Sequence, residues 1–275
     1  MLEDRVEADM RTMEAKNGNE KVQQFRIDRL NKIRNEKVWR PMSEGPYCIL
    51  HWIPALSTEQ FIDIESIGKD YEDFIVFRVG VDVNPPLKNS DGFLIDTNFG
   101  EDTGEWSERF DGWHSCLRGF QRTQIFHSGA LEAVYAPPFE NRKGKKTKYL
   151  SLYAFEFFRR QIKNCIKKAP DLGFSGAGAI GVSILGVKGY SIYTPIISAR
   201  YLVQLPQKIP DDSDEVLNEA EGDINLDMKI PSIVDIKNED IDNKILRPIF
   251  DRSWRDFGFL ECDRDFQDGS WNLQQ

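Results

Sequence analysis

Gly45-Pro46-Tyr47-Cys48-Ile49-Leu50-His51-Trp52-Ile53-Pro54 is the stretch that decides the fold. A Gly-Pro turn opens it and a proline closes it. The apolar run between them is too short for a helix and rich in β-formers, so it reads as a buried central strand. A strongly basic helical segment precedes it, and the chain beyond alternates strands and helices.

Upstream, the helical pattern runs from Glu20 to Val38. Val22, Phe25, Leu30 and Ile33 can share one face, while Arg26, Arg29, Lys32, Arg34 and Lys37 line much of the rest. Downstream, Ser57 and Gln60 have capping-box spacing ahead of Phe61, Ile64 and Ile67, which predicts a short helix. Phe74 to Val81 alternates as a strand. Phe93-Leu94-Ile95 follows the Asn89-Ser90-Asp91-Gly92 turn as another. The clearest hairpin has Trp113 to Phe126 as one arm, His127-Ser128-Gly129 as its turn and Ala130 to Tyr135 as the other arm.

A helix over Leu150 to Lys168 would turn Ala154, Phe158, Ile162, Cys165 and Ile166 inward. Next, Gly176-Ala177-Gly178-Ala179-Ile180-Gly181 spells GxGxxG in an inverted context. A helix precedes it and the strand-like Val182-Ser183-Ile184-Leu185 follows, whereas a dinucleotide site needs the strand first. Tyr190 to Tyr193 and Arg200 to Leu205 read as further strands. Residues 206–242 are acidic, with short apolar runs that pin an excursion to the body. Asp242 to Phe257 is an amphipathic helix around Ile245, Leu246, Ile249, Phe250 and Trp254. The pattern predicts an α+β protein with a mixed, largely antiparallel sheet and helices packed on one face. Residues 1–19 read as a polar extension and 20–275 as a single domain.

The 275 residues hold 36 Lys and Arg against 45 Asp and Glu, a net charge of −9. That balance excludes generic polyanion binding by the whole chain and leaves only local basic patches. Hydrophobic content of 40% is enough for a real core. Cys48, Cys116, Cys165 and Cys262 are widely spaced, as in a cytoplasmic protein with reduced thiols. No apolar run is long enough to span a membrane, so no membrane partner is expected.

No GxSxG, HExxH, CxxC or GxxxxGK[ST] occurs, and no catalytic residue, metal or cofactor is assigned. Asp63, Glu65, Lys69 and Asp73 read as the polar side of a short helix rather than a magnesium cluster. His51, inside the apolar strand, reads as a hydrogen-bonded structural histidine. The alternative is a hydrolase or nuclease pairing His51, His114 or His127 with a nearby acid. The local basic patches are Arg26 and Arg29, the loop residues Lys143, Lys145 and Lys146, and Arg159, Arg160 and Lys163 on the following helix. Tyr149, Tyr153, Phe155 and Phe157 are interleaved with them, and cations beside aromatics suit single-stranded DNA or RNA.

Several motifs in order carry a family resemblance. They are Phe25-Arg26-x-x-Arg29-x-x-x-Ile33, Gly45-Pro46 with Leu50-His51-x-Ile53-Pro54, and Asp91-Gly92-Phe93. Ser183-Ile184-Leu185-Gly186-Val187-Lys188-Gly189-Tyr190, Leu246-Arg247-Pro248-Ile249-Phe250-Asp251-x-x-Trp254 and Asp268-Gly269-x-Trp271 complete the set. From about residue 20 onward the chain resembles the region that follows the AlbA-type, Schlafen-like DNA-binding domain of many bacterial proteins. The AlbA-type domain itself has no counterpart here. The resemblance implies a non-catalytic accessory or sensing module in a nucleic-acid-directed system, with an AlbA-type-domain protein, DNA or RNA as partner. It transfers no catalytic residue.

Overall fold

The computed structural model describes residues 20–35, 46–54, 87–89, 92–99, 113–115, 119–136, 139–142, 148–151, 153–171, 173–174, 177–193, 223–230, 241–257 and 262. The predicted helix after Ser57, the strands at 74–81 and 200–205 and the loop lysines Lys143, Lys145 and Lys146 lie outside these residues.

The fold is α+β. Helix α1 spans 20–35. The strands are β1 (Tyr47–Pro54), β2 (Leu87–Asn89), β3 (Gly92–Phe99), β4 (Trp113–Ser115), β5 (Gly119–Phe126), β6 (Leu131–Ala136), β7 (Phe139–Arg142), β8 (Lys148–Ser151), β9 (Gly178–Leu185), β10 (Tyr190–Tyr193) and β11 (Ile224–Ile230). Helix α2 (Tyr153–Lys168) precedes β9. A π-helical turn, Ile241–Leu246, runs into α3 (Arg247–Asp256). Pro248 stands in the first turn of α3, where its missing N–H costs no intrahelical bond.

The main sheet has the order β11-β9-β1-β6-β5-β3-β2, and its neighbours pair antiparallel throughout. A second sheet, β10-β8-β7-β4, contains one parallel pair, β10 with β8. As the apolar run predicts, β1 is central and every one of its residues is buried. The long hairpin arm is divided: Trp113–Ser115 joins the second sheet, while Gly119–Phe126 pairs with β6. The hairpin turn closes with Gly129 at φ 80°, a left-handed geometry that suits glycine, and the Phe174 ring packs over it. The GxGxxG stretch leads into a strand, since Gly178 already begins β9. Part of the acidic excursion is the edge strand β11, held by its register with β9.

Alternation along the strands sorts side chains to two faces. One face carries Cys48, Leu50 and Trp52 of β1, Ala133 and Tyr135 of β6, Ile180, Val182 and Ile184 of β9, and Ile224 of β11. Helices α2 and α3 cover it with Phe155, Phe157, Phe158, Ile162, Ile249, Phe250 and Trp254. Phe155 meets Phe250 edge-on at 5.3 Å, joining the two helices. Each such aromatic contributes about 1.5–3 kcal/mol on burial. On the opposite face, Leu30 and Ile33 of α1 pack with Tyr47, Ile49, Val134, Ala136 and Leu185. A sheet buried on both sides explains why β1 reads as a continuous apolar run.

Candidate functional site

Below α1 the sheet presents a row of side chains that the alternation alone would not place in an interior. Across β11, β9, β1, β6 and β5, the paired positions are Asp227, Gly181, His51, Glu132 and Gln124. His51 and Glu132 are buried, at 0% and 2% exposure. Charges removed from water survive only with partners, and α1 supplies them. Arg29 grips Glu132 through two parallel bonds: Nε donates to Oε2 at 2.8 Å, and a terminal nitrogen donates to Oε1 at 2.6 Å. Glu132 Oε2 also lies 3.0 Å from His51 Nε2.

Burial alone would push the Glu132 carboxyl up. The hydrogen bonds from Arg29 and His51, with the charge of Arg29, overcome it and hold the group at about 2. His51 is pushed below its ordinary value by burial and by Arg26 and Arg29, with Glu132 opposing. An ionised carboxylate can only accept, so the neutral imidazole must carry its proton on Nε2. His51 Nδ1 is then a buried acceptor that no hydrogen bond satisfies.

Arg26 lies deeper still, at 3% exposure. It donates to Ser183 Oγ at 2.9 Å and pairs with Asp227. Its guanidinium crosses the strand at Gly181: a Cβ there would stand 2.1 Å from Arg26 Nε. Glycine at that point makes room for the arginine. Burial lowers Arg26 to about 10, which leaves it charged at neutral pH. Gln23 to Asp227 at 2.9 Å and Arg34 to Asp223 at 3.0 Å extend the contact. Phe25 stands edge-on to His51 at 5.8 Å and to Phe126 at 5.3 Å, and Arg29 lies 5.0 Å over the Phe126 ring.

Of the eight cations singled out from the sequence, Arg26 and Arg29 are therefore interior groups bound to this chain's own acids, not parts of an open phosphate surface. The physical reason is their place in the helical repeat, which turns both toward the sheet. Arg159, Arg160 and Lys163 lie on the outer side of α2. Arg159 forms a fork with Glu156 at 2.7 and 2.6 Å, and Arg160 reaches the same carboxylate at 2.5 Å. Burial of Glu156 acts to raise its carboxyl, but those two arginines hold it down. The same hydrogen bonds raise Arg159. Lys163 meets Asp242 of the π-helical turn at 2.9 Å. Lys167 continues the stripe into solvent. The phenyl rings of Phe155 and Phe157 are in the core and offer no stacking platform.

The one histidine–carboxylate contact among the described residues is His51 with Glu132, and α1 seals it. Among those residues no group of three or more His, Cys, Asp or Glu is placed to hold a metal ion. Nor is any described helix long and apolar enough to cross a membrane. Glu132, Ser183 and Asp227, the acceptors that receive α1, were not singled out from the sequence. A lone acid in Leu131-Glu132-Ala133-Val134-Tyr135 was their one visible signal. No family model, curated protein or solved structure matches the chain.

Proposed function

We propose that this chain is a non-catalytic binding module of a Schlafen-like, nucleic-acid-directed system, taking a nucleic-acid strand on the outer side of α2. The observation that carries the reading is the division of the charged groups. The one histidine–carboxylate contact among the described residues is consumed in docking α1, while α2 turns Arg160, Lys163 and Lys167 outward. Among the described residues, Glu156, Asp171 and Asp242 are the acids paired with the cations of this helix, which number five: Arg159, Arg160, Lys163, Lys167 and Lys168. In sequence, Lys143, Lys145 and Lys146 come shortly before this helix.

With Phe155 and Phe157 withdrawn into the core, recognition by this helix rests on phosphate contacts and is indifferent to base sequence. Reversing charge in Lys163→Glu/Lys167→Glu should weaken binding of a fluorescent single-stranded oligonucleotide, to all sequences alike. Unchanged affinity in that variant, or no binding by the parent chain, would refute the reading and favour a protein partner.

A further inference from the structure

We propose that α1 is a latch released by acid, with His51 as the proton sensor and Arg26 and Arg29 as the charges that expel α1 once the imidazole is protonated. The geometry supports this independently of what α2 binds. A histidine fully enclosed between a helix and a sheet cannot gain a proton without adding a third cation to the layer occupied by two arginines.

The groups facing His51 can be named element by element. Helix α1 presents Arg26, Arg29 and the edge of Phe25. Strand β6 presents Glu132 at 3.0 Å, the one adjacent anion among the described residues. Strand β9 presents Gly181 and Ser183, which carry no charge, and β11 presents Asp227, already paired with Arg26. Strand β5 turns Gln124 and, further along, Arg122 to the same face. Glu132 has both oxygens engaged by Arg29, so it is a shared counter-ion rather than a spare one. The unsatisfied Nδ1 of His51 and Nε of Arg26 mark the same layer as imperfectly matched.

The sign follows from the two states. Docked, His51 is held neutral, because burial and both arginines outweigh the pull of Glu132. The ordinary value of 6.5 is the reference for the imidazole once undocked and hydrated. Stability of the docked state is therefore full well above pH 6.5 and falls as the pH drops below it. From pH 7.5 to 5.0, a single sensor of this kind weakens docking by up to about thirty-fold. Glu132, held at about 2, adds its own loss only at lower pH. Release uncovers Ile49, Val134 and Leu185, the apolar patch now under α1.

The test is hydrogen exchange of the full chain, followed by mass spectrometry and corrected for intrinsic rates. Protection across residues 20–35 should fall by roughly ten- to thirty-fold between pH 7.5 and 5.0, while that of α2 holds. His51→Gln keeps a donor toward Glu132 and removes the titration, so its α1 protection should not change over that range. Constant protection in the parent chain, or an equal fall in His51→Gln, would overturn the proposal. Should His51→Gln not fold, the imidazole nitrogen resonances of the parent chain decide. Titration of His51 with the same midpoint as the loss of α1 protection supports the latch, and separate midpoints refute it.

Discussion

Replacing Arg29 with Met is the most informative perturbation of the layer under α1. The methionine keeps the stem that lies over Phe126 but removes both donors to Glu132. The carboxylate, 2% exposed, keeps its contact with His51 in the row. Breaking a buried pair by removing one partner costs about 3–5 kcal/mol. The companion variant Arg29→Met/Glu132→Leu removes the charge as well as its partner. It should recover much of the loss, leaving about 1–3 kcal/mol for the orphaned Nε2–H of His51. Urea unfolding followed by circular dichroism measures both, and a loss of about 4 kcal/mol moves the midpoint by about 1.3–4 M for slopes of roughly 1–3 kcal/mol per M. A single variant within about 0.5 kcal/mol of the parent would refute the account of the layer, as would a double variant no better than the single.

Other consequences are open to equally direct measurement. Gly181→Ala places a methyl group against the buried Arg26 guanidinium, so it should destabilise the chain by about 1–3 kcal/mol in urea unfolding; a neutral result would mean that α1 does not cross the strand there. Glu132, at about 2 folded against 4.5 unfolded, contributes stability that is complete above pH 4.5 and lost as the pH falls through 2, about 3 kcal/mol in all. Glu132→Gln should flatten that acid limb of an unfolding-versus-pH curve. Cys48, Cys165 and Cys262 are buried, and burial pushes the Cys165 thiol up. A thiol reagent should therefore modify these three only at the rate of opening, and rapid labelling of any of them in the native protein would contradict the packing.

Much of the architecture was legible because it follows from one short apolar strand and one tight turn. Tyr47 to Pro54 has no polar alternation, which marks a buried central strand, and His127-Ser128-Gly129 fixes the β5–β6 register; the expectation of helices on one face is corrected by α1, which covers the other. The inverted GxGxxG was readable for the same reason, since β-branched residues after the glycines favour a strand. The second cover was the harder inference. Val22, Leu30 and Ile33 on α1 predict a buried stripe, yet Arg26 sits four residues from both Val22 and Leu30, within that stripe. Composition counts it as a surface cation. Helical spacing, taken literally, puts it inside.

The acceptors were illegible in a different way. Glu132 and Asp227 meet α1 across sequence separations of 103 and 204 residues. No local pattern encodes a contact of that kind, because it depends on strand order. What the sequence does show is a histidine in β1 and a glutamate in β6, each alone in an apolar strand. A buried charge without local company demands a distant partner. Pairing those two anomalies would have suggested the His51–Glu132 contact, although not the two arginines that complete it.

The most direct test of the central claim is the affinity of a labelled single-stranded oligonucleotide measured across a salt series. A cationic stripe on α2 making about three to five phosphate contacts predicts a log–log slope of roughly −2 to −3.5. Such a slope, retained across unrelated base sequences, is the predicted result; affinity that is absent, or that does not change between low and high salt, would contradict it.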